Sequence, residues 1–156
     1  MYANKIMTAN PVVCFGHQTV SEVLNILHER NVRILPVVDE NKRLLGVVNS
    51  ISLLEKIVPA YILSDLKSIS YAPDLGLLRK HYLQLHDQLV SEVMDSNPTV
   101  VRPNESLLSA TAALITYDRH DYVLVVEADR TLVGVITAND VMNALQQLKS
   151  GDVFDA

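Results

Sequence analysis

Tryptophan is absent from this 156-residue chain, cysteine occurs once and glycine five times. Each scarcity removes a class of function. One cysteine excludes an internal disulfide framework and a thiolate metal cluster. Cys14 lies in the apolar stretch Val12-Val13-Cys14-Phe15, which reads as a buried small hydrophobe, not a reactive thiol. So few glycines leave little room for a Gly-rich phosphate loop, and neither that loop nor a nucleophile elbow is found. Positive charge is scarce as well. The formal net charge is −5, so the basic footprint required by a phosphate backbone is missing and no nucleic-acid role is expected. No apolar run approaches the ~20 residues that span a bilayer, and the N-terminus shows no secretory signal. The expectation is a cytoplasmic protein without membrane insertion.

Catalytic and metal-ligating patterns are lacking too. The histidines His17, His28, His81, His86 and His120 are scattered. His81 and His86 miss the i, i+4 spacing of a helical metal pair and read as solvated helix residues. Asp118, His120 and Asp121 fall in an expected loop and read as a solvated turn. The residues therefore point to no metal site, no catalytic residue and no enzyme.

Present instead are an ample apolar content, 49% of residues, and an internal repeat. Asn10-Pro11-Val12-Val13 returns as Asn97-Pro98-Thr99-Val100, and Leu45-Gly46-Val47-Val48 returns as Val133-Gly134-Val135-Ile136. In the first copy, Ile6 to Pro11 is an irregular lead-in that Pro11 keeps extended. Val12 to Phe15 reads as a strand. Thr19-Val20-Ser21-Glu22 has the form of a capping box. Val20, Val23, Leu24 and Leu27 then recur at helical spacing, giving a helix to about Glu29. Ile34 to Val38 and Leu44 to Val48 are strands around the polar turn Asp39-Glu40-Asn41-Lys42, and a further helix begins near Ser52.

The second copy keeps the order: a strand over Thr99–Arg102, a helix from Glu105-Ser106, strands over Tyr122–Val126 and Leu132–Ile136, and a helix from about Asn139 to Leu148. One residue is inserted around Tyr117 to Arg119, where a loop absorbs it. Between the copies, Pro59 ends or kinks the first helix and Ser70 to Asp74 reads as a loop with Asp74 a helix cap. Leu75, Leu77, Leu78, Tyr82, Leu85 and Leu89 then give one apolar helix face. That face suits packing on its own domain, a dimer contact or a partner-docking arm.

A Met-x-x-x-Pro lead-in, a strand, a helix, a Leu-Pro-Val-Val strand, an acidic turn and a Gly strand-to-helix corner together resemble a cystathionine-β-synthase (CBS) domain. Two in tandem resemble a Bateman module. The resemblance implies an α/β fold of two pseudo-symmetric β-α-β-β-α repeats packed as one module with an inserted helical connection. The expected boundaries are 1–57 and 88–148 for the repeats, 58–87 for the connector and 149–156 for a tail. It also implies a homodimer, a regulated partner protein that the sequence does not name, and an adenosyl ligand in the cleft between repeats. AMP is expected first, then ADP or ATP, S-adenosylmethionine or NAD, with no cofactor required.

The corner that the resemblance marks is Gly134 to Asp140. A helix start offers unpaired N–H groups suited to phosphate, and a carboxylate there can grip two ribose hydroxyls. In similar domains Asp140 takes the ribose and Thr137 donates to a phosphate. Thr137-x-x-Asp140 is equally a plain capping arrangement. With Ile136 beside them, Pro11, Val12, Val32, Arg33 and Ile34 from the other repeat are expected to enclose the base, Arg33 turning to the phosphates or simply lying solvated. Asp121 stands in the position corresponding to Arg33, where some relatives carry a basic residue; it disfavours a polyphosphate unless His120 or Arg119 compensates. The first corner departs from the pattern, with Asn49 for the Thr and Ser52 for the Asp. With Thr99, His120, Asp121 and Tyr122 it reads as a degenerate second cleft. The competing function is a ligand-free dimerisation or docking scaffold.

Overall fold

The structure is a computed structural model describing residues 1–60, 74–116 and 121–150. Its elements run α1 (Ala3–Ile6), β1 (Thr8–Ala9), β2 (Cys14–Phe15), α2 (Val20–Glu29), β3 (Ile34–Val38), β4 (Leu44–Asn49), α3 (Ser50–Ile57), α4 (Asp74–Leu85), α5 (Val90–Val93), β5 (Val100–Val101), α6 (Leu107–Thr116), β6 (Tyr122–Val126), β7 (Leu132–Thr137) and α7 (Ala138–Lys149). The α/β order expected of two repeats is present. Both first strands are shorter than the apolar runs suggested, Cys14–Phe15 for Val12–Phe15 and Val100–Val101 for Thr99–Arg102. The expected loop before Asp74, the insertion at Tyr117 to Arg119 and His120 lie outside the described residues, as does most of the expected tail.

Two compact units divide the chain. The first draws its described residues from Met1–Pro11, Val38–Leu45 and the chain from Ser96 on, and the second from Val12–Val37 and Gly46–Asp95. In the first, a four-stranded sheet has the order β1-β7-β6-β5. Strand β7 pairs antiparallel with both β1 and β6, and β5 runs parallel to β6. Under it pack Ala3, Val101, Ala110, Val123, Val125, Ile136 and Val141. In the second, the sheet β2-β3-β4 covers a core of Val20, Val23, Leu27, Leu35, Val48, Leu53 and Val90 with Cys14 among them. Burial pushes the Cys14 thiol up to about 12, so it stays protonated and packs as the small hydrophobe expected of it.

Helix α2 forms because Val20, Val23 and Leu27 repeat on its buried side and Thr19 caps it, accepting from Glu22 N at 3.2 Å. Only half of the expected box is made. Among the described bonds there is no return from the Glu22 side chain, and the first helical N–H groups of Val20 and Ser21 go to the carbonyls of Gln88 and His86.

Each lead-in belongs to the sheet of the other copy. Residues Thr8 and Ala9 pair with Val135 and Gly134 in the first unit, while Asp95 bridges Val47 in the second. Met7 packs on Gly134 and Met94 on Gly46. Glycine is required at both places by close approach. A Cβ on Gly46 would lie 2.6 Å from Asp95 O and 2.7 Å from Met94 Sδ, and one on Gly134 would overlap the Met7 side chain. Gly46→Ala is therefore expected to destabilise by about 1–3 kcal/mol, the usual cost of overpacking. Gly134→Ala should cost less, because a side chain can yield where the Asp95 backbone cannot, and Met7→Ala should relieve it. Denaturant midpoints of the single and double variants check this. Equal losses unrelieved by Met7→Ala would count against the exchange.

Candidate functional site: the strand-to-helix corners

Strand β7 ends at Thr137 in extended backbone, and Thr137 becomes the N-cap of α7. The capping box is complete. Asp140 N donates to Thr137 Oγ1 at 3.3 Å, and Thr137 N donates to Asp140 Oδ2 at 2.8 Å. The Thr137 hydroxyl also faces Oδ2, at 3.1 Å, and directs its proton there. Both side chains are half-buried, over the buried Ile136. The box uses Oδ2 alone, and among the described residues' bonds Asp140 Oδ1 has none, so half of a carboxylate remains available to accept.

The backbone before β6 closes the same corner. Ala138 N, the first N–H of α7, donates to Asp121 O at 2.9 Å, and Tyr122 faces Thr137 across the β6–β7 pair. Asp121 is exposed and Tyr122 buried. The expected supply of unpaired N–H groups at this helix start is thereby reduced. Ala138 and Asp140 have both found acceptors, which leaves Asn139 of the first three positions among the described residues.

The second unit repeats the arrangement with weaker chemistry. Asn49 Oδ1 accepts from Ser52 N at 2.8 Å, and Ser52 Oγ accepts from Asn49 N at 3.1 Å. Ser52 Oγ then gives its single proton to Asn49 O at 2.9 Å. Ser50 N donates to Arg33 O at 3.0 Å, so Arg33 stands to α3 as Asp121 stands to α7. A hydroxyl that already accepts once and donates once has one lone pair left, against the whole second oxygen of Asp140. Asn49 is itself buried.

The other sequence-expected residues distribute between the units. Pro11 is in the first, half-buried. Val12, Val32, Arg33 and Ile34 are in the second, where Val12 and Val32 pack against the core and Arg33 is exposed. Thr99 supplies the carbonyl that Leu124 N bonds at 3.1 Å. His86 makes its contacts locally, Nδ1 with Leu83 O at 2.7 Å and Nε2 with Asp87 at 3.3 Å. Among the described residues no group of three or more His, Cys, Asp or Glu side chains is placed to hold a metal ion.

The sequence matches the CBS domain family over residues 3–59 and again over 90–147. The chain belongs to the CBS domain family. As a CBS pair it has a relative in the CBS domain-containing protein CBSX2, chloroplastic, of Arabidopsis thaliana, 30% identical over 138 residues. That match covers 84% of this chain and 57% of the relative, so the chain spans little more than half of that protein's length. The crystal structure of CBS-pair protein CBSX2 from the same plant is similar with a TM-score of 0.76 at 28% identity, covering 96% of each chain. A crystal structure of CBSX2 in complex with AMP is similar with a TM-score of 0.73 at 29% identity, covering 95% of this chain and 98% of that one. No helix among the described residues is long and apolar enough to cross a membrane.

Proposed function

We propose that this CBS pair is a non-catalytic regulatory module that binds an adenosyl nucleotide, AMP before the others, and passes its occupancy to a partner protein. The observation that carries the reading is the division of labour within Asp140. One oxygen completes the helix cap and the other is left to accept from ligand hydroxyls, at a corner where the chain keeps both Thr137 and Asp140. Support also comes from CBSX2, whose crystal structure is described in complex with AMP. Within the proposed site Asp140 and Ile136 of the first unit hold the ribose end. Asn49 and Ser52 form the weaker corner. Calorimetric titration with AMP tests the proposal, and a flat titration with AMP, ADP, ATP, S-adenosylmethionine and NAD would overturn it.

A second reading, a self-associating scaffold, is favoured by helix α6 and is compatible with the first. From Leu107 to Thr116 it carries no charged residue, and Leu108 and Ile115 are 79% and 76% exposed. The matching helix α2 has Ser21 and His28 at those places, with Glu22, Asn25 and Glu29 also on its outer side. Helix α7 packs beside α6 and adds Met142, Leu145 and Leu148, all about half exposed or more. These five side chains expose on the order of 500 Å², near the upper end of apolar patches on monomers. The five side chains are uncharged, so nothing in them selects a charged partner, and a second copy of the chain covers them in a homodimer.

A further inference from the structure

Each lead-in is seated by a methionine lying on a glycine. A Cβ on Gly46 would meet Met94 Sδ at 2.7 Å and Met94 Cγ at 3.0 Å, so the thioether rests on the bare backbone of β4. Met94 ends α5, is half-buried and packs against the edge of the second unit's core. The next residue carries the pairing that this seat supports. Val47 N donates to Asp95 O at 3.0 Å, and Asp95 N donates to Val47 O at 2.9 Å. Those two bonds make an isolated bridge. The first copy holds its lead-in by two paired residues, Thr8 and Ala9 against Val135 and Gly134. The Met94 lead-in is the more lightly held of the two.

The seat suits a thioether and not its oxide. A thioether is polarisable and makes almost no hydrogen-bonding demand, whereas a sulfoxide is polar and carries a strong acceptor oxygen. The nearest backbone donors are already used. Met94 N–H goes to Val90 O at 2.9 Å, and the Asp95 and Val47 N–H groups go to each other's carbonyls. An oxygen on Sδ finds none of these three donors open and turns to water, which draws the side chain off Gly46. The one thiol does not compete for an oxidant. Cys14 is buried, and burial pushes its thiol up to about 12, so it stays protonated and unreactive. We propose that Met94 is a modification site: hydrogen peroxide converts its thioether to the sulfoxide, and this frees the lead-in from β4 at the Asp95–Val47 bridge. The sulfur gives up an electron pair and is oxidised as the peroxide O–O bond breaks. One peroxide oxygen bonds to sulfur, and the other is reduced and leaves with both hydrogens as water.

Peptide mass spectrometry and single-amide hydrogen exchange, before and after hydrogen peroxide, test it on the natural chain and on three variants. Met94 is expected to gain one oxygen in the folded protein. The Val47 and Asp95 amides should then exchange on the order of tenfold faster or more, while the Leu124 amide in β6 stays protected. Met94→Leu keeps the volume and should hold both amides protected with and without peroxide. Met142 is 64% exposed and oxidises too, so a Met7→Leu/Met142→Leu chain isolates Met94 and should lose protection as the natural chain does. In that chain the two methionine sulfoxide reductases, one for each epimer, should restore slow exchange. Met94→Gln, polar and beyond the reach of the oxidant, should exchange fast at Val47 and Asp95 without peroxide. Met94 left unoxidised at a dose that converts Met142 completely overturns the proposal. Equal protection with and without the Met94 sulfoxide does so as well, as does a peroxide-induced loss that persists in Met94→Leu. If Met94→Leu is itself unprotected, the reductase arm decides: recovery upholds the proposal, and no recovery overturns it.

Discussion

Asp140→Ala is expected to weaken AMP binding by roughly 10- to 100-fold, the equivalent of losing one hydrogen bond to a charged group. The same substitution removes the acceptor that Thr137 N–H and the Thr137 hydroxyl share. It should therefore also cost about 1 kcal/mol of stability, up to about 2, as loss of a helix cap does. The two effects separate in Asp140→Asn. An amide oxygen can still accept from Thr137 N–H, so most of the stability should be retained. The charge-assisted grip on a ligand hydroxyl is lost with the carboxylate, so affinity should still fall at least about tenfold. Calorimetry and denaturant unfolding on the two variants read both quantities. A ligand affinity that tracks stability across the pair, high in Asp140→Asn and low in Asp140→Ala, would assign Asp140 to capping alone.

Ile115→Asp, alone or with Leu108→Asp, is expected to convert the protein to a monomer. The mass by light scattering should fall from about twice 17.3 kDa to 17.3 kDa. Both side chains are more than three-quarters exposed, so a carboxylate there strains nothing within the chain and the fold should survive. In a dimer the same carboxylate is buried without a partner, at a cost of several kcal/mol. His28→Asp is the control, since His28 holds on α2 the place that Ile115 holds on α6. It should leave the mass unchanged. A natural protein already at 17.3 kDa, or an Ile115→Asp variant still at twice that mass, would remove the homodimer from the account.

Local pattern made much of the fold legible. Helix α2 could be placed from Val20, Val23 and Leu27 with Thr19 as cap, and the strands Ile34–Val38 and Tyr122–Val126 match the apolar runs residue for residue. What the pattern could not carry was short or non-local. Helices α1 and α5 have four residues each and β1 has two, too few for any period to declare itself. The exchange of lead-ins rests on Met7 against Gly134 and Met94 against Gly46. Those pairs are joined by packing across long sequence separations, and nothing near either glycine announces it.

The candidate corner was legible in part for the same reason. Thr137 and Asp140 stand three apart and announce both a cap, which the structure has, and a candidate site. Which oxygen of Asp140 the cap uses, and that Asp121 closes the first N–H of α7, depend on strand pairing and on the bonds it brings. Those bonds occupy the Ala138 N–H and one oxygen of Asp140. Apolar content alone gave no warning of α6 either. Its lack of charge is plain in Leu107 to Thr116, but only the fold shows that Leu108 and Ile115 face outward.

The central claim is that duplication of the fold has left one competent corner. A calorimetric titration of the natural chain with AMP measures it directly through stoichiometry. One AMP per chain is expected, weakened roughly 10- to 100-fold in Asp140→Ala and unchanged when Ser52→Ala alters the corner in the second unit. Two equivalent AMP molecules per chain, or one that is lost with Ser52 and kept without Asp140, would contradict it.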